Sequence, residues 1–187
     1  MVNLSYQFIG LILAAGKSSR MKVDKAFVRY HDQPQFEYAA NQLMPFVEEV
    51  FISGKENNDY GNFEVIFDQK EFENNGPISG LLSAFQLYPN CSIFLLGCDY
   101  PYLSIEALKL LNDKSLESKK SVCFMNNTNG YLEPLVAIYT ADDLKKLMDF
   151  WQSKQTSLRH FLESINPLIL PAPNNNDILS IDIPTTI

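Results

Sequence analysis

The chain has 187 residues, 46% of them hydrophobic and 20% charged, which is long enough to bury one substantial core. Its formal net charge of -7 argues against a general nucleic-acid binder, which needs a basic face, although a local cluster of cations can still bind a small anion. The three cysteines form no CxxC pair, the N-terminus lacks the features of a signal peptide, and no apolar run approaches the roughly 18 residues that span a membrane. We therefore expect a single soluble, cytoplasmic domain over residues 1–187, with neither nucleic acid nor membrane as a partner.

Apolar residues along the chain predict strands that alternate with helices. Before residue 120, short apolar runs predict strands at 8–13, 50–52, 64–67 and 92–97, and helical spacing predicts helices at 34–46, 77–87 and 104–111. After it, the pattern predicts strands at 121–126 and 132–139 around an Asn129-Gly130 turn, helices at 140–151 and 157–164, and a last strand at 178–181. This order predicts an α/β fold with a mostly parallel central sheet covered on both faces and a small antiparallel portion.

Three features of the sequence fall where predicted strands end, which is where α/β sheets bind ligands. They are the loop at 14–25, Asp68 and Asp99. The loop combines small residues with four cations, which suits a polyphosphate: Lys17, Arg20, Lys22 and Lys25. Its Gly16-Lys17-Ser18 triplet is not a P-loop, because that motif needs glycine at position 11, which is leucine.

Carboxylates and glycines add further candidates at the same edge. Asp99 directly follows an apolar strand, which indicates either a Mg²⁺ ligand facing substrate phosphates or a turn aspartate before proline. Gly76 and Gly80 flank a helix start at Pro77. The two glycines indicate either a backbone that approaches a ligand closely or a plain turn with proline at the first helical position. Glu133 before Pro134 indicates a functional carboxylate or an edge-strand bend.

Histidines are the remaining candidates for acid–base chemistry. Neither His31 nor His160 stands at a motif spacing from a cysteine or a serine, so we expect both to be structural.

Several motifs resemble those of the molybdenum cofactor guanylyltransferases. The opening signature is matched by Leu13-Ala14-Ala15-Gly16-x-Ser18-x-Arg20-Met21 followed by Asp24-Lys25-Ala26. Later motifs occur in the family's order: Gly76-Pro77-x-x-Gly80, Cys98-Asp99-x-Pro101-Tyr102, Glu133-Pro134 and Ser180-Ile181-Asp182-Ile183-Pro184. The resemblance implies a three-layer Rossmann-like nucleotidyltransferase fold. It also implies that GMP is joined from GTP to molybdenum-bound molybdopterin, with Mg²⁺ as cofactor and release of pyrophosphate.

Positions that match the family's motifs imply residue roles. Nucleotide contacts are implied for Leu13, Ala14, Ala15, Gly16, Lys25, Ser53, Asp68, Gly76, Pro77, Gly80 and Asp99. Within this set, Lys25 would contact phosphate, Asp68 the guanine or ribose, and Asp99 the magnesium ion. Lys25, Arg20 and Asp99 form the predicted catalytic group. Lys25, Arg20 and the Mg²⁺ ion that Asp99 would hold neutralise the charge that develops as the pterin phosphate attacks the α-phosphorus. Asp182 is a candidate second metal ligand.

Some alternatives stay open at this stage. The Ala14-Ala15-Gly16 run is typical of the cytidylyltransferases for the same cofactor, so CTP competes with GTP as the substrate. A nucleotidyltransferase for another small phosphorylated acceptor would carry the same loop and Asp99, and a nucleotide-binding regulator without turnover is a further possibility. We expect a monomer that binds GTP and a molybdopterin acceptor, the latter supplied by other cofactor-biosynthesis proteins.

Overall fold

The computed structural model of the chain describes residues 7–16, 24–174 and 176–181. Arg20 and Asp182, predicted as a catalytic residue and a metal ligand, lie outside the described residues, as do Lys17 and Lys22. The strands are β1 Phe8–Leu13, β2 Glu49–Gly54, β3 Glu64–Phe67, β4 Ser92–Gly97, β5 Val122–Met125, β6 Leu132–Tyr139 and β7 Leu168–Pro171.

These strands form one sheet with the order β3-β2-β1-β4-β6-β5-β7. β1 lies between β2 and β4 and pairs with both in parallel, and β2 pairs in parallel with β3. β6 runs antiparallel to both β4 and β5, whereas β7 pairs in parallel with β5. The predicted mostly parallel sheet with a small antiparallel portion is therefore confirmed, and β6 is its reversed strand.

Helices cover both faces of this sheet. They are α1 Gln35–Leu43, α2 Pro77–Leu87, α3 Ile105–Ser118, α4 Ala141–Leu144, α5 Leu147–Gln152 and α6 Leu158–Ser164, with short 3-10 turns at Lys25–Phe27 and Met44–Phe46. α1 and α3 pack on the face that carries Ile12 and Ile52, while α2 and α4 to α6 pack on the face that carries Leu11 and Phe51. The apolar run of β1 thus serves two cores, as expected for a strand buried on both faces. Within the described ranges, no helix is long and apolar enough to cross a membrane.

The predicted last strand at 178–181 is wrong. Residues 176–178 form a turn instead, and the final strand of the described chain is β7. The cause is Asp177, which is 1% exposed and accepts hydrogen bonds of 2.8 Å from the backbone N–H groups of Ser104 and Asn174. A buried carboxylate with two backbone donors fixes the segment as a turn, although its apolar pattern is that of a strand.

Two predicted helices have different bounds from those expected. The helix predicted over 140–151 is split into α4 and α5, with a separate turn at Lys145 and Lys146. α3 continues seven residues past the predicted end at Leu111 and stops at Lys119, whose φ of 56° lies in the left-handed region. The first difference interrupts a predicted helix and the second moves the end of one, and neither changes the order in which strands and helices follow one another.

Candidate active site

A cavity of about 860 Å³ opens where β1, β2, β3 and β4 end. All residues predicted to contact nucleotide line it: Leu13, Ala14, Ala15, Gly16, Lys25, Ser53, Asp68, Gly76, Pro77, Gly80 and Asp99. These residues come from segments spread over the first half of the chain. Their convergence follows from the parallel pairing, which brings the carboxyl ends of the four strands to one edge.

The loop after β1 enters the cavity in a fixed conformation. Ala14 is 2% exposed, and its N–H donates a 2.9 Å hydrogen bond to the carbonyl of Ser53, which extends the pairing of β1 with β2. Two residues later, a Cβ built on Gly16 would have no atom within 4 Å. The start of the loop is therefore anchored to β2, and the backbone at Gly16 has open space beside it.

Gly76 and Gly80 are required for different physical reasons. Gly76 has a φ of 75°, a conformation that favours glycine, and a Cβ there would meet nothing within 4 Å. A Cβ on Gly80 would lie 2.4 Å from Ser53 Oγ and 2.8 Å from Leu13 Cδ2. The expectation that both glycines leave room for a ligand thus fits Gly76, whereas the space beside Gly80 is filled by the protein itself.

The carboxylate of Asp99 is held at the end of β4. Its Oδ2 accepts a 2.8 Å hydrogen bond from Ser180 Oγ, and its backbone carbonyl accepts one of 2.8 Å from the Ile181 N–H. A Cβ on Gly97 would lie 2.6 Å from Asp99 Oδ1, so the carboxylate folds back over a position that only glycine leaves open. Contacts with Ser180 and Ile181, and the space beside Gly97, together hold Asp99 in place.

Lys55 is a cavity residue that the sequence analysis missed. Its Nζ donates hydrogen bonds to Asp24 Oδ2 at 2.7 Å and to the carbonyl of Gly16 at 3.1 Å. Asp24 in turn caps the short 3-10 turn that carries Lys25, since its Oδ1 accepts from the Ala26 N–H at 3.3 Å. Lys55 therefore connects the loop after β1 with the turn that carries the predicted phosphate contact.

The position of Lys55 was detectable from the sequence. It directly follows β2, just as Asp68 directly follows β3, so the search for polar residues after strands applies to it equally. The predicted strand ended at Ile52, two residues before the observed end at Gly54, and this shift concealed the pattern.

Asp68 has a buried carboxylate oxygen without a partner. Among the described residues, no group forms a hydrogen bond with its Oδ1, which is buried. Burial raises the pKa of Asp68, and the neighbouring Glu73 raises it further. A buried acceptor without a donor is costly, so this oxygen is suited to an N–H or O–H group supplied by a ligand.

The charges on the cavity wall are mostly negative. The described lining contains five carboxylates and two lysines, namely Asp24, Glu56, Asp68, Glu73 and Asp99 with Lys25 and Lys55. A polyphosphate would need additional positive charge here. In the described part of the chain, no group of three or more metal-ligating side chains occurs.

Glu133 and His31 have clear structural partners. Glu133 Oε1 accepts a 2.6 Å hydrogen bond from Tyr100 Oη, and the pairing of β5 with β6 shifts register beside Pro134, which accommodates a residue without an N–H. His31 stacks on Tyr38 at 3.7 Å, and its Nε2 lies 2.8 Å from the carbonyl of Pro101. These contacts give His31 the structural role that the sequence predicts.

The sequence of this chain is similar to those of known proteins over most of its length. The family model described as the MobA-like NTP transferase domain matches residues 10–168. A probable molybdenum cofactor guanylyltransferase of Methanocaldococcus jannaschii is 30% identical over 176 residues, which cover 87% of this chain and 86% of that protein. One of Geobacillus is 29% identical over 160 residues, covering 81% of each chain. A molybdenum cofactor biosynthesis bifunctional protein of Synechocystis is 33% identical over 135 residues, 70% of this chain but 38% of its own length.

Solved structures share the fold at lower identity. The molybdopterin-guanine dinucleotide biosynthesis protein A of Archaeoglobus fulgidus superposes with a TM-score of 0.76 at 18% identity, covering 95% of this chain and 93% of its own. The 2-C-methyl-D-erythritol 4-phosphate cytidylyltransferase of Thermus thermophilus gives a TM-score of 0.65 at 13% identity, covering 95% and 94%. At these identities the likeness establishes a common fold.

Proposed function

This chain belongs to the MobA-like NTP transferase family, and from that premise we propose that it transfers GMP from GTP to molybdenum-bound molybdopterin. The products would be molybdopterin guanine dinucleotide and pyrophosphate. Two relatives that align over more than four fifths of this chain carry the name guanylyltransferase, which supports the choice of GTP. The observation that carries the proposal is that every described residue predicted to contact nucleotide lines one cavity.

In this proposal the nucleotide lies across the ends of β1, β2 and β3. Lys25 and the backbone at Gly16 would contact the phosphates, since both line the cavity beside the end of β1. The base would lie toward Asp68, whose buried Oδ1 has no hydrogen-bond donor among the described residues. Guanine presents an amino group and a ring N–H on the same edge, and either would satisfy that oxygen.

The transfer itself requires little from side chains beyond charge and position. An oxygen of the acceptor's terminal phosphate forms a bond to the α-phosphorus, and the bond from that phosphorus to the bridging oxygen breaks. Pyrophosphate leaves with the electron pair. Because the nucleophile is already an anion, no general base is needed, and we assign Lys25 and Arg20 to stabilising the charge on the α-phosphoryl oxygens.

Mg²⁺ is the cofactor we propose, and Asp99 is the residue that would hold it. The donor set fits, because Mg²⁺ in such enzymes takes one or two carboxylates plus substrate phosphates, and Asp99 lines the cavity with its carboxylate fixed by Ser180. Asp182, outside the described residues, is proposed as the second carboxylate. When bound, the ion supplies positive charge that offsets the surplus of carboxylates on the wall.

Pyrophosphate release tests the proposal directly. The enzyme with GTP, Mg²⁺ and molybdenum-loaded molybdopterin should release pyrophosphate, and Asp99→Asn should lower that rate by about 100-fold or more. Asp142→Asn is the matched control, because the side chain of Asp142 is 91% exposed on the surface of α4. Equal rates in the two variants would contradict the role assigned to Asp99.

Nucleotide choice is tested by thermal shift with Mg²⁺ and each of the four nucleoside triphosphates. We expect GTP alone to raise the melting temperature. A shift with CTP alone would replace the proposal with the cytidylyl alternative, which Ala15 favours. Equal shifts for all four would contradict a guanine-specific site, and binding of GTP without turnover would favour a regulatory protein.

A further inference from the structure

Residues 176–181, here called the tail segment, contact both ends of the loop that joins β4 to α3. At the α3 end, the N–H of Ser104 donates a 2.8 Å hydrogen bond to the carboxylate of Asp177. At the β4 end, Asp99 accepts hydrogen bonds of 2.8 Å from the hydroxyl of Ser180 and from the backbone of the next residue. One short stretch of chain therefore holds the loop at two points, and one of these points is Asp99.

The carboxylate of Asp177 is the buried anchor of the tail segment. It is 1% exposed, and its second oxygen accepts a 2.8 Å hydrogen bond from the N–H of Asn174. Hydrogen bonds to an ionised acceptor are stronger than those between neutral groups. Loss of this carboxylate would leave two backbone donors without their partner, which is costly in a buried position.

The contact between Asp177 and Ser104 completes a helix cap from a distant part of the chain. Ser104 is the N-cap of α3, and its Oγ accepts a 3.2 Å hydrogen bond from the N–H of Ala107. In a capping box, the residue at the position of Ala107 is Glu or Gln, whose side chain accepts from the N–H of the N-cap residue. Alanine cannot do this, and Asp177 supplies the acceptor instead. The start of α3 is thereby tied to the tail segment.

The position of Ser180 follows from this anchor. Next to Asp177, Ile178 is 5% exposed and packs in the core shared with α1 and α3. Ser180 itself is exposed and stands three residues beyond Asp177, a distance of about 10 Å at full extension. An exposed hydroxyl loses much of the energy of a hydrogen bond to competing water. A short connection to a fixed point offsets this loss, because the hydroxyl is already held near Asp99.

We propose that Asp177 is a positioning residue for Asp99. It fixes the tail segment so that Ser180 and the backbone of Ile181 hold Asp99 in one orientation before any ligand binds. The part of Asp99 as a magnesium ligand rests on the function proposed above, but the coupling of Asp177 to Asp99 does not. Groups that hold a metal ligand in place affect metal affinity by about 10- to 100-fold when they are removed. We expect the lower end of this range, since Asp177 acts through the tail segment.

Hydrogen exchange in the ligand-free protein is the first test, and it is independent of the proposed function. In Asp177→Ala, the amides of Ser104 and Ile181 should both exchange about 10-fold faster or more, while Leu95 of β4 stays nearly unchanged. Ser104→Ala is the matched control. It removes the hydroxyl that caps α3 and keeps the N–H that Asp177 accepts, so it should speed exchange at Ala107 and not at Ile181.

Two outcomes of the exchange experiment would overturn the proposal. One is an unchanged rate at Ile181 in Asp177→Ala, which would mean that the anchor does not control the contact with Asp99. The other is an equal acceleration at Ile181 and Leu95, which would mean that the substitution only lowers the stability of the whole fold.

The effect of Mg²⁺ on nucleotide affinity is the second test. Calorimetry measures binding of the α,β-methylene analogue of GTP with and without Mg²⁺. Asp177→Ala should reduce the gain in affinity from Mg²⁺ by about 10-fold and leave binding without the ion within about twofold of the wild type, whereas Ser104→Ala should resemble the wild type in both. A merely structural role would weaken binding equally with and without Mg²⁺, and that result would contradict the proposal.

A double-mutant cycle shows whether Asp177 acts through Ser180. If it does, Ser180→Ala should reduce the gain from Mg²⁺ in the wild-type background and have little further effect in Asp177→Ala. Independent, multiplying effects would overturn the proposed route. If the wild type binds no GTP analogue, or binds it equally well without Mg²⁺, the proposed function is wrong in that respect, and hydrogen exchange still decides whether Asp177 positions Asp99.

Discussion

Replacing Gly80 with alanine has two opposite effects on stability, and the contacts around Gly80 decide which effect is larger. Alanine is favoured over glycine in a helix interior by about 1 kcal/mol, so the exchange would stabilise an exposed helical site. Gly80 is instead buried in α2, where the new Cβ would lie 2.4 Å from Ser53 Oγ and 2.8 Å from Leu13 Cδ2. A Cβ does not approach a non-bonded heavy atom this closely in folded proteins, so the side chains of Ser53 and Leu13 must move.

The expected size of the effect follows from these contacts. Adding a methyl group to a packed interior costs about 1–3 kcal/mol, and we take the middle of that range because a serine hydroxyl and a leucine methyl both rotate. After the helix term of about 1 kcal/mol is subtracted, the net loss of stability is about 1 kcal/mol. For a chain of this size that corresponds to a fall in Tm of about 2–4 °C.

Urea and thermal unfolding of four proteins measure this prediction: the wild type, Gly80→Ala, Ser53→Ala and the double variant. Ser53→Ala removes the nearer clashing atom and leaves the Ser53 Cβ at 3.1 Å, so Gly80→Ala should cost less in that background. Because Ser53 and Leu13 line the cavity, Gly80→Ala should also weaken GTP binding.

Two results would refute this reasoning about Gly80. One is a higher Tm in Gly80→Ala than in the wild type, which would mean that helix propensity outweighs the clash. The other is an equal cost of the exchange with and without the Ser53 hydroxyl, which would mean that the contact does not cause the loss.

Three further predictions concern charged side chains and are measured by urea unfolding. Lys55→Met and Asp24→Asn should show a coupling free energy of about 0.5–1 kcal/mol in a double-mutant cycle, because the two side chains are 39% and 22% exposed and solvent screens the pair; no coupling would refute the contact. Burial acts to raise the pKa of Asp143, but hydrogen bonds from Lys146 and two hydroxyls lower it overall. The ionised Asp143 carboxylate therefore stabilises the fold at pH values above its ordinary pKa of 3.8, and this stabilisation is lost as the pH falls through the lowered pKa. Asp143→Asn should therefore cost most near pH 7 and least below pH 3.8, and a pH-independent cost would contradict this. Burial is the main cause that raises the pKa of Glu133 above 4.5. The contribution of Glu133 to stability is therefore favourable below pH 4.5 and is lost as the pH rises through the raised pKa. The stability of Glu133→Gln should increase relative to that of the wild type between pH 4.5 and pH 7, and a difference in stability that does not change with pH would contradict the shift.

The convergence of the candidate residues on one cavity was predictable because these residues follow strands. Leu13, Asp68 and Asp99 each stand at the end of a strand or just after one, and parallel pairing is enough to bring the ends of such strands together. The close packing behind Gly80 was not predictable, because the sequence marks a glycine without showing which side chain occupies the space beside it.

Contacts between distant segments account for what the sequence did not reveal. The position of Lys55 directly after β2 was detectable, but its ion pair was not, because its partner Asp24 is 31 positions away in the sequence. Arg159 stands on a short amphipathic helix, and the aromatic ring beneath it comes from a hairpin loop. The wrong strand at 178–181 has the same origin, since its turn is fixed by the contact of Asp177 with Ser104, 73 positions earlier. The spacing of apolar residues shows which face of a helix or strand is buried, but not which distant segment packs against that face.

The reversed direction of β6 divides the catalytic edge between two stretches of the chain. The cavity is lined almost entirely by residues 13–99, and Leu135 of β6 is the one described lining residue from later in the chain. Substitutions in well-separated groups act almost independently on free energy. Substitutions confined to β5, β7 and α6 should therefore leave ligand binding in the cavity nearly unchanged.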